Sequence, residues 1–175
     1  MIWQGRFDGE DPLYHRIFQR VSLETDYTSI SPNDFVLHGF AVDEGVKRNK
    51  GRVGAKEAPD IIRKNMSNFP VISPEFSLKD FGNITCENGN LEGAQNELAE
   101  KVAEVLKKSG KSIVLGGGHE VTFAHYSGIR KALITNPNLV DFNQWLTIDA
   151  GYWSGIAAIN NQLVVSNTNN IFYKY

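Results

Sequence analysis

The stretch SIVLGGGHE, residues 112–120, indicates a strand, a tight turn and the start of a helix. Residues 112–115 have the apolar composition of a short buried strand. The three glycines that follow allow the backbone to turn without side-chain clashes. His119 and Glu120 would then lie at the carboxyl edge of a sheet, where open α/β proteins bind their ligands. The stretch therefore predicts an α/β fold with a histidine at its ligand-binding edge.

Neighbouring segments repeat the order of strand and helix. Residues 35–40 are rich in β-branched and aromatic side chains, and residues 91–108 place apolar side chains on one helical face. This alternation predicts parallel strands joined by right-handed crossovers over residues 35–150. We predict strands at 35–40, 81–85, 112–115 and 145–148, and helices at 58–64, 91–108 and 120–133.

The last forty residues have a different character. Residues 162–165 and 171–175 are β-rich and flank a polar run, which predicts a terminal β-hairpin. We interpret the chain as a single domain, residues 1–175, in which 1–135 form the α/β part and 136–175 a divergent tail.

The amino-acid composition limits the kinds of binding partner and the cellular compartment that fit this chain. The 175 residues carry a net charge of -2, which gives no reason to expect binding to nucleic acid or to an anionic membrane. Cys86 is the only cysteine, so no intrachain disulfide can form and a reducing compartment is favoured. No apolar run has the length needed to cross a bilayer. We expect a cytoplasmic protein.

Three common sites with glycine or histidine motifs do not match residues 112–120. A phosphate-binding loop needs lysine and a hydroxyl residue after its glycines. A zinc-protease helix needs a second histidine where Phe123 stands, and His125 would lie on another helical face. A nucleophile elbow needs serine or cysteine between the glycines. A plain strand-to-helix turn, in which His119 caps or packs, stays open.

Several separated segments, taken in order, resemble one enzyme family. They are WQGR at 3–6, GFAVDEGVKRNKGRVGA at 39–55, APDIIR at 58–63 and VLGGGHE at 114–120. Together they resemble the ureohydrolase (arginase-like) family, and within it the formimidoylglutamase branch that degrades histidine. The resemblance covers residues 1–135.

The resemblance implies a three-layer α/β/α fold with a mostly parallel sheet and two manganese ions at the sheet edge. Such metals generate a hydroxide that attacks a guanidinium or formimino carbon. The resemblance also implies that His119 is one metal ligand. In the family an Asp-Ala-His-x-Asp segment supplies three more ligands, and a later Asp-x-Asp-x-x-Asp-Pro segment supplies the last two.

The second ligand segment is matched only in part. Residues 149–153 read DAGYW, so Asp149 matches while Gly151 replaces the histidine and Trp153 replaces the second aspartate. No counterpart of the third segment occurs up to Tyr175. Two close divalent ions need several carboxylates to offset their repulsion. His119 and Asp149 would therefore bind one manganese ion weakly at most, or no metal.

These departures lead to three hypotheses. The first is a truncated, non-catalytic relative of formimidoylglutamase, kept as a folded binding or assembly module. The second is an active manganese-dependent C–N hydrolase assembled across an oligomer that supplies the missing carboxylates. The third is a metal-free binder of small acidic ligands. Truncation would also expose a sheet edge, which either the terminal hairpin or a second copy in a homodimer would cover.

The charged, glycine-punctuated loop at 43–54 could line a pocket for an anionic ligand, because it follows a strand. We expect Arg48, Asn49 and Arg52 to face an acidic substrate. The alternative for the two arginines is solvation or a salt bridge with Asp43 or Glu44.

Three further polar residues are expected to serve the fold. Glu120 would cap the helix that begins there. His38 lies within a strand and is expected in the core or an interface, and His125 is expected to pack beside Phe123 and Tyr126.

Overall fold

A computed structural model describes residues 2–73 and 75–135, and the backbone of residues 153–159, 162–167 and 172–174. The chain forms two compact units, Met1–Asn136 and Pro137–Tyr175. Within the described residues, no helix has the length and apolar character needed to cross a membrane.

The first unit is built on a parallel sheet with the strand order β1-β3-β2-β4. The central strand β2 pairs in parallel with β3 on one side and β4 on the other, as the alternation of strands and helices predicts. In chain order the elements are β1 (Val21–Leu23), β2 (Phe35–Ala41), α1 (Glu44–Arg48), α2 (Ala58–Met66), β3 (Leu78–Thr85), α3 (Leu91–Lys107), β4 (Lys111–Leu115) and α4 (Val121–Thr135).

Helices pack against both faces of the sheet through apolar side chains. On one face, Phe40 and Ile84 of the sheet pack with Leu98 of α3 and Ala124 of α4. On the other face, Leu37 of β2 belongs to a cluster that takes in side chains of α2 and of the amino-terminal segment. This arrangement confirms the predicted α/β fold with helices on both sides of a parallel sheet.

Helices α3 and α4 pack closely because small residues line the contact. Ala124, Gly128 and Ala132 recur every four residues on α4 and are buried. A Cβ atom at Gly128 would lie 2.6 Å from the backbone oxygen of Ala99 on α3. Only a glycine therefore permits this approach of the two helices. The side chain of Asn90 accepts a hydrogen bond from the Gly93 N–H at 3.0 Å and so begins α3.

A buried ion pair fastens α2 and the amino terminus to β3. The Arg63 guanidinium donates two hydrogen bonds to the Asp80 carboxylate, Nε to Oδ2 and Nη2 to Oδ1, both 2.8 Å long. Trp3 Nε1 donates to Asp80 Oδ2 at 2.7 Å, and Asn83 and the Gly82 carbonyl accept from Arg63. Arg63 and Asp80 are 1% and 4% exposed. Their charges are tolerated in the interior because hydrogen bonds satisfy them.

The second unit is an antiparallel sheet of β5 (Trp153–Ile159), β6 (Gln162–Asn167) and β7 (Phe172–Lys174), in that order. The hairpin prediction concerned the residues of β6 and β7, which pair antiparallel. The strand predicted at 145–148 lies outside the described residues.

Two elements differ from expectation. Strand β1 was not predicted, and it adds a parallel edge to β3. The loop predicted at 43–54 contains the five-residue helix α1. Both elements are short and depend on contacts with residues far away in sequence. Local composition does not predict such contacts.

Candidate functional site

The glycine turn after β4 presses against the backbone at the end of β2. A Cβ atom at Gly117 would lie 2.2 Å from the backbone oxygen of Val42 and 2.6 Å from that of Phe40. The Gly118 N–H donates to the Val42 carbonyl at 2.8 Å. The backbone approach therefore requires glycine here, as the sequence predicts, and it brings the two strand ends together.

Glu120 links this turn to the loop after β2. Its Oε1 accepts a hydrogen bond from the Gly45 N–H at 2.9 Å, at the start of α1 and 75 residues away in sequence. Its backbone oxygen accepts from Gln95 Nε2 of α3 at 3.0 Å. The expectation that Glu120 caps its own helix, α4, is therefore wrong. The carboxylate instead supplies an acceptor to an otherwise unpaired N–H of α1.

A cavity of about 450 Å³ lies at the carboxyl ends of β2 and β3. Asp43 fixes part of its wall, since its Oδ2 accepts from the Gly54 N–H at 2.7 Å. Burial raises the pKa of the Cys86 thiol, which faces the cavity in its protonated form. The lining residues are Ala41, Val42, Asp43, Glu44, Lys47, Val53, Gly54, Lys56, Cys86 and Gly89.

The three residues predicted to face an acidic substrate lie on and after α1. Arg48 Nη1 donates to Glu92 Oε1 at 2.5 Å, and Arg48 Nη2 donates to the Gly89 carbonyl at 2.8 Å. The hydrogen bond from Arg48 lowers the pKa of the Glu92 carboxyl. Asn49 ends α1 by donating its N–H to the Gly45 carbonyl. Arg52 is exposed. Arg48 is thus paired with acidic neighbours, Glu44 and Glu92, and the cavity lining includes none of the three predicted residues.

The described residues do not assemble a metal centre by themselves. His119 is exposed at the turn after β4. Among the described residues, no group of three His, Cys, Asp or Glu side chains is placed to hold a metal ion. Asp149, the second predicted ligand, lies outside them. One imidazole does not fit a centre for two manganese ions, because such a centre needs several carboxylates.

His38 is buried in the core, as expected, and His125 is half-buried on α4. His38 is 0% exposed within β2, and its Nε2 lies 2.6 Å from the Tyr27 hydroxyl. Burial, with a smaller contribution from Lys101, lowers the His38 pKa from 6.5 to about 4. Burial also lowers the His125 pKa. Both groups are therefore neutral at pH 7.

Sequence reasoning did not single out several side chains of this region. Lys56 and Cys86 line the cavity, and Glu92 binds Arg48. Cys86 and Glu92 lie outside the segments that resemble the family, and Lys56 directly follows one of them, at 39–55. The one usable signal was the charged loop after β2, which was predicted to line a pocket and which supplies half of the cavity wall.

Comparison with known proteins places this geometry in a family. A family model described as the arginase family matches residues 33–146. Formimidoylglutamase from Paraburkholderia xenovorans is 42% identical over 130 residues, which cover 74% of this chain and 40% of the relative. Formimidoylglutamase from Clostridium tetani is 38% identical over 161 residues, 84% of this chain and 47% of the relative. The chain thus spans less than half the length of these curated relatives.

Solved structures agree with the sequence comparison. Trypanosoma cruzi formiminoglutamase with Mn²⁺ is 32% identical, with a TM-score of 0.51, over 60% of this chain and 36% of that one. An arginase superfamily protein from Trypanosoma cruzi is 31% identical, with a TM-score of 0.52, over 57% of this chain and 36% of that one. The predicted resemblance is confirmed, and since the family model matches well over half of the sequence, this chain belongs to the arginase family and is similar there to formimidoylglutamases.

Proposed function

We propose that this polypeptide is a non-catalytic, formimidoylglutamase-like module that binds a small acidic ligand at the carboxyl edge of its sheet. The observation that carries the proposal is the set of side chains at the positions of the family's metal ligands. His119 matches a family metal ligand, whereas Gly151 and Trp153 stand where the family pattern has a histidine and an aspartate. A two-metal centre cannot be completed from these side chains alone.

The cavity supports the ligand class. Lys47 and Lys56 line it and would attract a carboxylate, while Val42 and Val53 offer apolar surface. Lys47 is already close to Glu44, at 3.4 Å, so its attraction is partly neutralised. A ligand with two acidic groups would gain from both ammonium groups at once.

A calorimetric titration of the metal-free protein with manganese tests the absence of a metal centre. We expect either no binding or one weak site that is lost in His119→Ala. Tight binding of two ions per chain, together with manganese-dependent release of formamide from N-formimino-L-glutamate, would overturn the proposal. That result would establish the second hypothesis, a hydrolase whose ligands are shared between chains.

A separate measurement tests the ligand site. Thermal unfolding with and without L-glutamate and N-formimino-L-glutamate should show stabilisation that is lost in Lys47→Gln/Lys56→Gln. Lys64→Gln removes one exposed ammonium group from α2, outside the cavity lining, and is the control that should keep the effect. No stabilisation by either compound in the unmodified chain would refute binding of small acidic ligands.

The proposal extends to compartment and pathway. A cytoplasmic location is supported by the single cysteine, Cys86, which needs no oxidising environment. A connection to histidine degradation is supported by the similarity to formimidoylglutamases. Cell fractionation with an antibody against the chain tests the location directly.

A further inference from the structure

The connection between β3 and α3 contains the one Asn-Gly pair of the sequence, Asn88 and Gly89. The two residues are the centre of a tight turn in which the Asn90 N–H donates to the Glu87 carbonyl at 2.9 Å. Their φ angles are 50° and 72°, positive at both positions as in a type I′ turn. Asparagine and glycine are the residues that such a turn favours. The turn thereby places a side-chain amide next to a glycine nitrogen.

The two groups that can react with each other in this turn are free of hydrogen bonds. Asn88 is exposed, and within the described residues neither its side-chain amide nor the Gly89 N–H has a hydrogen-bond partner. Glycine has no Cβ atom to hinder an approach to its nitrogen. Rotation about ψ of Asn88 brings that nitrogen to the Asn88 Cγ and opens the hydrogen bond from Asn90. The reaction needs water and no binding partner.

We propose that Asn88 and Gly89 form a site of spontaneous deamidation in the native chain. The Gly89 nitrogen bonds to the Asn88 Cγ and closes a five-membered succinimide. The side-chain nitrogen leaves as ammonia and carries away the proton that Gly89 loses. Water then cleaves one of the two ring C–N bonds. Cleavage at Cγ yields aspartate, whereas cleavage at the main-chain carbonyl yields isoaspartate, whose backbone is one methylene longer.

An Asp-Gly pair elsewhere in the chain, Asp8 and Gly9, provides an internal contrast. Aspartate closes the same ring from its protonated carboxyl, which then loses water. Arg6 Nε donates to Asp8 Oδ1 at 2.6 Å, and Arg16 Nε donates to Asp8 Oδ2 at 2.7 Å. These hydrogen bonds lower the pKa of the Asp8 carboxyl and keep it ionised. Asp8 should therefore stay intact while Asn88 reacts.

Conversion to isoaspartate would disturb the contacts of the next residue, Gly89. The Gly89 carbonyl accepts hydrogen bonds from Arg48 Nη2 at 2.8 Å and from the Leu91 N–H at 2.9 Å. Gly89 also belongs to the cavity lining. An added methylene displaces this carbonyl from its two donors, because the strand before it and the helix after it are fixed by the core. Helix α1, which carries Arg48, thereby loses one of its attachments to the β3–α3 connection.

Peptide mapping by tandem mass spectrometry, during incubation of the full chain at pH 8 and 37 °C, tests the site. Asn88 should convert about tenfold faster than any other asparagine, since each of the others precedes a residue with a Cβ atom. Isoaspartate should appear at position 88 and not at Asp8. A synthetic peptide of residues 84–93 gives the rate without the fold. An intact Asn88 in the folded chain, once that peptide has converted, would overturn the proposal. Equal rates at several asparagines would overturn it too.

Asn88→Gly is the matched variant, because glycine adopts the positive φ of this position and cannot deamidate. Amide hydrogen exchange should become about fivefold faster at Leu91 in the converted chain than in the fresh chain, as expected for the loss of one hydrogen bond. Exchange in residues 44–48 should rise as well. Asn88→Gly incubated in parallel should show neither change. Unchanged exchange in a chain that has converted at Asn88 would overturn the predicted effect on α1.

Discussion

Acid should destabilise the first unit through one buried imidazole, His38. The side chain is fully buried in β2, stacked near Tyr27 and Phe81, and its Nδ1 has no hydrogen-bond partner among the described residues. A neutral imidazole with the proton on Nε2 leaves Nδ1 as an unpaired acceptor. Protonation would add an unpaired donor and a charge in the core.

The magnitude follows from the pKa. The folded chain holds the His38 pKa at about 4, compared with 6.5 for an unperturbed histidine. Because folding lowers the His38 pKa, the neutral imidazole contributes its full share of the free energy of unfolding above pH 6.5. That share is lost as the pH falls towards 4. The linkage relation gives a loss of about 2 kcal/mol by pH 5 and about 3 kcal/mol by pH 4. This is a large part of the stability of a typical domain.

Urea unfolding at pH 4.0–7.5, for the unmodified chain and for His38→Gln, measures this loss. The variant is less stable at neutral pH, since it disturbs the packing with Tyr27. The difference between the two free energies of unfolding should nevertheless shrink by the stated amount as the pH falls. Parallel pH curves would refute the reasoning. An NMR titration in which the His38 imidazole gains its proton near pH 6.5 would refute it independently.

Three more substitutions test contacts elsewhere in the first unit. Asp80→Asn leaves the buried Arg63 guanidinium without a charged partner and should lower the free energy of unfolding by about 3–5 kcal/mol in urea titrations; a loss below 1 kcal/mol would contradict it. Glu120→Ala removes the acceptor for the Gly45 N–H and should cost about 1 kcal/mol, with faster amide exchange at Gly45; unchanged exchange would be inconsistent with the cap. Gly128→Ala should force α3 and α4 apart and cost about 1–3 kcal/mol in the same titrations, although alanine favours helices; a stabilised variant would show that the helices can separate freely.

Elements with a strong local pattern were predicted well. Helix α3 repeats apolar residues on one face over seventeen residues, and β2 is a run of aromatic and β-branched side chains. The glycine turn was predicted because three successive glycines let the backbone turn without side-chain clashes, and in the structure only glycine fits where Gly117 meets the end of β2. In each case neighbouring residues carry the information that decides the structure.

Features that depend on distant partners were missed. Arg63 was expected only to continue a helix, yet its neighbours in space come from β3, 17 and 19 residues further along the chain. Strand β1 has three residues and forms because β3 offers it an edge. The candidate site follows the same rule, since sequence identified His119 and the loop at 43–54 but not the bond from Glu120 that joins them.

The bond between Glu120 and Gly45 also has a consequence for the order of folding. Helix α1 has five residues, too few to persist alone in water. The Glu120 carboxylate can cap α1 only after β4 and the following turn have docked beside β2. This contact closes a loop of 75 residues. During synthesis, the cavity wall built from residues 43–54 therefore forms late, after the ribosome has released residue 120. The surface that would recognise a ligand is thus among the last parts of the first unit to acquire its shape.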